Sequence, residues 1–249
     1  MESVENEAFA GEINETRFIR DTRSVNLSAA VQRIVNYCAA EDIQVIASTP
    51  LSLRLAEGLE YPQRNELISQ IDLWVNSLVL GTRRMGKAVS DEKSLRRFCE
   101  MTNTYIRDDF YKKIDDGDVV EVYTFDSSTG QVKQTWRNWR FLEMCSYDVL
   151  LLMTTPMLDL FHRNEKTAEL LVSRIGEVFT DQRTKPCDVP AHVITERMHQ
   201  KNRLFQITNK FYTPLFSKKD QVIGFACSQT AISLGSAYSK HANVEPLEK

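Results

Sequence analysis

The stretch Asn138-Trp-Arg-Phe-Leu-Glu-Met-Cys-Ser-Tyr-Asp-Val-Leu-Leu-Leu-Met-Thr-Thr-Pro-Met-Leu-Asp-Leu-Phe-His162 decides how the rest of the chain is read. It packs short helical turns between two strand-rich regions. Phe141, Leu142, Met144, Leu151 and Leu152 can form one apolar side. Pro156 opens a second short helix, at a position where a missing N–H costs nothing.

Outward from it, the pattern changes at residue 118. Before it, Val119, Val120, Val122, Tyr123 and Phe125 predict a strand. Ser127 to Gly130 predict a turn, and Val132 to Trp136 a returning strand, so a hairpin precedes the stretch. After it, Leu170, Leu171, Ile175 and Val178 share one face of a helix spanning Glu165 to Phe179, and a loop is expected at 180–188. Three strands follow, at Val189 to Thr195, Arg203 to Leu215 and Gln221 to Ser228, with a polar turn at Ser217 to Asp220.

The first half reads as mostly α. Asn26 can cap a helix carrying Leu27, Ala30, Val31, Ile34, Val35 and Cys38, and Thr49-Pro50 begins another. Leu67, Ile71, Trp74 and Leu78, widened by Ile68, Val75 and Val79, make a stripe broad enough for a core or for a partner helix. A further helix is expected from Ser90, with Leu95, Phe98, Cys99, Tyr105 and Ile106 inward, ending at Asp115-Asp116-Gly117. Residues 1–25 are polar and acidic and are expected to be a flexible terminus.

Composition is that of an ordinary globular chain: 249 residues, net charge −3, no run as long as a membrane span and no signal-like start. A cytoplasmic protein is expected, with no basic face for nucleic acid. The five cysteines, Cys38, Cys99, Cys145, Cys187 and Cys227, are scattered and read as buried thiols.

Taken in order, these segments resemble the PAS domain family. Asn138, Phe141-Leu142-Glu143, Tyr147, Pro156, Leu158-Asp159-Leu160 and His162 match its helical middle. Ser146 and Asp148 stand where the family usually has Gly and Ser. Ala231-Ile232-Ser233 stands where closing strands often end in Asp-Ile-Thr. The resemblance covers about 117–234. It implies an α+β fold, a PAS-like five-stranded antiparallel sheet with helices on one face, behind a mostly helical region at 26–116 and before a tail at 235–249.

It also implies a function. A half-open wrap of this kind often holds a small molecule, with Met144, Met153, Met157, Leu171, Ile175, Phe205, Ile207, Phe225 and Cys227 as its walls. The plainer reading is that these side chains fill the core. The expectation is a non-catalytic sensory or regulatory protein that binds a small molecule or a protein partner and signals through its N-terminal helices. A homodimer is expected, joined by the stripe from Leu67 to Val79, which Leu78→Asp would split. A scaffold or transcription co-regulator with an empty core is the alternative; a flavin or haem photoreceptor or redox enzyme is a further one. No cofactor is specified by the sequence.

Other motifs carry less. Gly81-Thr-Arg-Arg-Met-Gly-Lys-Ala88 lacks the closing Ser or Thr of a phosphate loop and reads as a surface loop. Trp139 occupies the place of the reactive Cys in a flavin-photoreceptor motif. Ala168 stands near the position of the haem-ligating His, leaving His192 and His199 to be tested. Cys187, His192 and His199 do not make a zinc set. No Ser-His-Asp order or carboxylate pair is legible.

Overall fold

A computed structural model describes residues 24–40, 46–79, 91–126, 131–197 and 203–236. The fold is α+β, with an antiparallel sheet. Helices α1 (Leu27–Ala40), α2 (Pro50–Glu57), α3 (Tyr61–Val79) and α4 (Asp91–Thr102) come first. A two-residue strand β1 (Thr104–Tyr105) and a single turn α5 (Asp108–Tyr111) follow. The hairpin is β2 (Val119–Asp126) and β3 (Gln131–Arg137). The organising stretch forms α6 (Trp139–Met144), α7 (Val149–Thr154), α8 (Met157–Leu160) and β4 (Phe161–Arg163). Then come α9 (Glu165–Asp181), β5 (Lys185–Pro186), β6 (His192–Glu196), β7 (Arg203–Ser217) and β8 (Val222–Ser236).

Among the described residues the sheet has eight strands where five were expected. Its main path runs β3-β2-β8-β7-β6-β4. The difference comes from β7. Its 15 residues pair with β8 along one edge, while β6, β5 and β1 take turns along the other. Register shifts at Leu204/Phe205, Asn209/Phe211 and Leu215/Phe216 bend the strand so that this edge can serve all three. Gly224 lies where β8 passes β2: a Cβ there would stand 2.0 Å from the Tyr123 carbonyl oxygen.

Helices cover both faces of the sheet, where one face was expected. Residues paired across antiparallel strands share a face. Val120, Val122, Trp136, Ala226 and Leu215 point to the N-terminal helices. Trp136 Nε1 donates to Ser77 Oγ at 2.8 Å, and the Phe98 ring lies 6.0 Å from Trp136. Glu121, Tyr123, Phe225, Cys227 and Tyr212 point the other way, where Phe179 of α9 meets Phe125 and Phe225 edge-on. One buried apolar cluster runs from Leu27 through Trp74 and Trp136 to Phe205, so the helical region and the sheet share a core.

The stripe of α3 is spent inside this core. Leu67, Ile71, Trp74, Val75 and Leu78 are buried against α1, α4 and the sheet, so they offer no surface to a second copy. The helix expected from Ser90 to Asp115 ends at Thr102. Thr102 Oγ1 bonds back to the Phe98 carbonyl, and Asn103 turns left-handed at φ 56. That break puts Tyr105 on the edge of β7 instead of in the helix, stacked on Phe216 at 5.0 Å.

The organising stretch is fixed by its polar residues. Asn138, fully buried, takes the Val120 N–H on Oδ1 and donates Nδ2 to the Asp118 carbonyl, locking α6 to the start of β2. Asp148 caps α7 by accepting from Leu151 N, and accepts again from Thr49, which caps α2. Two helix N-termini therefore meet at one carboxylate. Ser146 N and Oγ donate to Glu196 of β6, and the Tyr147 hydroxyl donates to the Leu160 carbonyl. The phosphate-loop-like segment 81–88, the terminus 1–23, His199 and the tail from 237 lie outside the described residues.

Candidate functional site

The face beneath α9 is apolar at its margin and polar at its centre. Leu171 and Val178 of α9 are buried with Val189, Tyr212, Phe225 and Cys227, and Ile175, Phe179, Tyr123 and Cys187 pack beside them. Of the nine walls expected from sequence, the structure gathers Leu171, Ile175, Phe225 and Cys227 here. Phe205 and Ile207 are buried in the larger core, with Met144 and Met153 packed against it. The Met157 side chain lies outside the described residues.

At the centre stands Glu121, which sequence reasoning missed. It is 1% exposed and accepts hydrogen bonds from the Tyr123 hydroxyl, Gln134 Nε2 and Gln229 Nε2. Strand period explains the grouping. Glu121 and Tyr123 alternate with Val120 and Val122, so the polar pair turns away from the N-terminal helices. Cys227 and Arg137 are its cross-strand partners on the same face. A Glu inside a run of valines was the available signal.

Burial governs the chemistry of this centre. Loss of solvent pushes the Glu121 carboxyl above its ordinary range; hydrogen bonds and the charges of Arg137 and Arg163 oppose that rise. Burial first, then the neighbouring Glu121 charge, drives the Tyr123 phenol and Cys227 thiol far up. Burial pushes Cys145 up to about 12. These are inert thiols, not nucleophiles. Arg137 is drawn down by burial and up by Glu121.

Arg137 donates Nη2 to the Leu152 carbonyl at 3.0 Å and lies 5.1 Å over the Phe141 ring. Its Nη1 is buried with no partner among the described residues. Arg163 Nε, His192 Nε2 and Asn209 Nδ2 are in the same condition. Register puts Arg163 opposite Ile194, His192 opposite Ile207 and Asn209 opposite Gln229, all on the face of Glu121. The Tyr212 hydroxyl donates to Asn209 Oδ1 at 3.2 Å, which turns Nδ2 away from it. His192 Nδ1 donates to the Pro190 carbonyl at 3.3 Å, and burial holds the ring toward its neutral form. Ala168 is half-buried on α9, and His162 is exposed, with Nδ1 3.0 Å from Arg197.

Among the described residues no three His, Cys, Asp or Glu side chains stand together as metal ligands, and no helix is long and apolar enough to cross a membrane. The arrangement gathers fixed donors and a buried acid inside an apolar rim on one face of the sheet. Comparison with known family models and with curated proteins gives no match to this chain, so its reading rests on its own residues.

Proposed function

We propose that the protein is a PAS-like regulatory module that binds a small molecule between its sheet and α9, and relays occupancy to the N-terminal helices. The observation that carries this is the buried polar centre around Glu121. Side chains that merely fill space are apolar; Glu121 is met by Tyr123, Gln134 and Gln229, but Arg137 and Arg163 beside it keep buried N–H groups that a ligand would meet. The segment order supports the reading: a hairpin, short helices, a long helix and three late strands join in one sheet, with β8 closing on β2.

Relay has a physical route. Arg137 reaches the polar centre with its guanidinium, while its carbonyl accepts from Trp74 Nε1 of α3 at 2.7 Å. A ligand that prefers one setting of Arg137 therefore biases α3. The buried stripe of α3 leaves any homodimer to other surfaces, and the output is assigned to a protein partner of the N-terminal helices. The module acts by binding, without catalysis.

Native mass spectrometry and absorption of the purified protein test this. A bound small molecule, or one taken up from a metabolite mixture with slowed amide exchange in both α9 and α3, supports it. A protein that takes up nothing, and whose Glu121→Leu variant is as stable as the parent, is a scaffold with a sealed core.

A further inference from the structure

The strand β3 ends the sheet. Among the described residues it pairs with β2 alone, so its other edge carries outward N–H and C=O groups. Such an edge is a template for another strand unless it is guarded, commonly by a bulge or a lysine. Both devices are present, and both leave the first half of β3 open. The bulge is at Thr135: Trp136 lies opposite Val122 and Gln134 opposite Tyr123, so Thr135 has no place in the ladder. The lysine is Lys133, and its charge is already met by Glu66 of α3. Beside this half of the edge the surface is apolar. Phe125 and Val132 lie opposite each other in the hairpin and are 46% and 48% exposed. Phe179 of α9 meets the Phe125 ring edge-on, so the apolar strip reaches back to the long helix.

We propose that two copies of the chain pair antiparallel through β3, with Val132 opposite Val132 of the second copy. Parity and charge fix this register. Residues opposite each other in an antiparallel pair share a face, so a two-fold axis normal to the sheet must pass through a residue. Through Lys133, the axis sets two ammonium groups against each other. Through Gln134, it sets Val132 against Trp136, on the far side of the bulge at Thr135. Through Gln131, only one residue of each strand overlaps. Through Val132, it joins Phe125 and Val132 to Val132 and Phe125 of the second copy in one apolar row across both sheets. Lys133 then stands opposite Gln131, which carries no charge. The second copy is favoured over a foreign strand because this single register covers both half-exposed apolar side chains and opposes no like charges.

The seam is short, so the dimer forms with rising concentration instead of being permanent. Sedimentation equilibrium of the full chain, from micromolar to millimolar concentration, tests it. The parent's mean mass climbs toward twice the monomer. Val132→Arg sets two guanidiniums against each other on the axis and stays monomeric throughout. Val132 is half-exposed, so circular dichroism and melting temperature of this variant remain those of the parent. Val132→Cys reads the register. Cα atoms directly opposite in an antiparallel pair are about 4.5–5.5 Å apart, within the span of a disulfide. Mild oxidation joins Val132→Cys into a covalent dimer. Lys133→Cys, which lies diagonal to its own copy in this register, joins more slowly. The parent, four of whose five cysteines are buried, is the control.

A parent that remains monomeric at millimolar concentration leaves the edge to another occupant and overturns the proposal. A dimer that Val132→Arg does not split overturns it too, by placing the contact elsewhere. Faster joining of Lys133→Cys than of Val132→Cys overturns the register. None of these results touches the regulatory reading above, which stands or falls on ligand uptake.

Discussion

Trp74 and Arg137 are joined by a hydrogen bond of 2.7 Å from the indole Nε1 to the main-chain carbonyl, and both residues are buried. The bond ties α3 to the last residue of β3, whose side chain emerges on the opposite side of the sheet. Trp74→Phe keeps the ring volume but leaves that carbonyl unmet, and is expected to cost about 1–3 kcal/mol in urea unfolding. Its second effect is the diagnostic one. If α3 senses the interior through Arg137, any ligand that binds beneath α9 loses affinity in this variant, although the substitution is remote from the site.

Leu78 lies in the stripe of α3 and is completely buried. Leu78→Asp places an unpaired carboxylate in the core and is expected to destabilise by about 4 kcal/mol or more. Circular dichroism and elution volume check this. The outcome is loss of the cooperative transition, with no well-folded species of lower mass.

Asp91, the first residue of α4, is buried, and desolvation pushes its carboxyl up to about 6; a hydrogen bond with Asn138 and the charge of Arg140 oppose the rise. A carboxyl with a raised folded pKa binds its proton more tightly in the native state. Its contribution is therefore full below its unfolded value of 3.8 and is lost as pH rises through about 6. A shift of that size corresponds to about 3 kcal/mol. Asp91→Asn should raise the melting temperature at pH 7 and have little effect below pH 4. A series of melts between those limits checks the sign.

Gly224 faces the main chain of β2, with the added Cβ of any other residue 2.0 Å from the Tyr123 oxygen and 2.9 Å from Thr124 Cα. Both are backbone atoms and cannot rotate aside. Gly224→Ala is expected to cost about 3 kcal/mol by forcing β2 and β8 apart. Faster amide exchange confined to the β2–β8 ladder would identify that cause.

Much of the architecture was legible because strand alternation and helix period are local. Val119 to Phe125 are rich in β-branched and aromatic residues, and α9 carries its inner stripe in Leu171, Ile175 and Val178. What lies against a stripe is not local. The period of Leu67 to Leu78 states that the face is covered, and is silent on whether a sheet or another chain covers it. The single-turn break at Asn103 was hidden because apolar residues continue past it. In the site, apolar walls were sought and four came together. The polar centre was missed because Glu121, Gln134, Arg163, Asn209 and Gln229 lie on five different strands, and only the register assembles them.

The Ser228 hydroxyl donates to Asp118, 110 residues earlier in the chain. On the ribosome, β2 is thus made long before the strand that lies against it. At ordinary synthesis rates that interval is on the order of ten seconds. Throughout it, the hairpin edge that β8 will occupy has open N–H and C=O groups beside Val120 and Val122, an invitation to foreign strands. The exposed edge of β2 is therefore the place where the growing chain is open to mispairing until β8 is made.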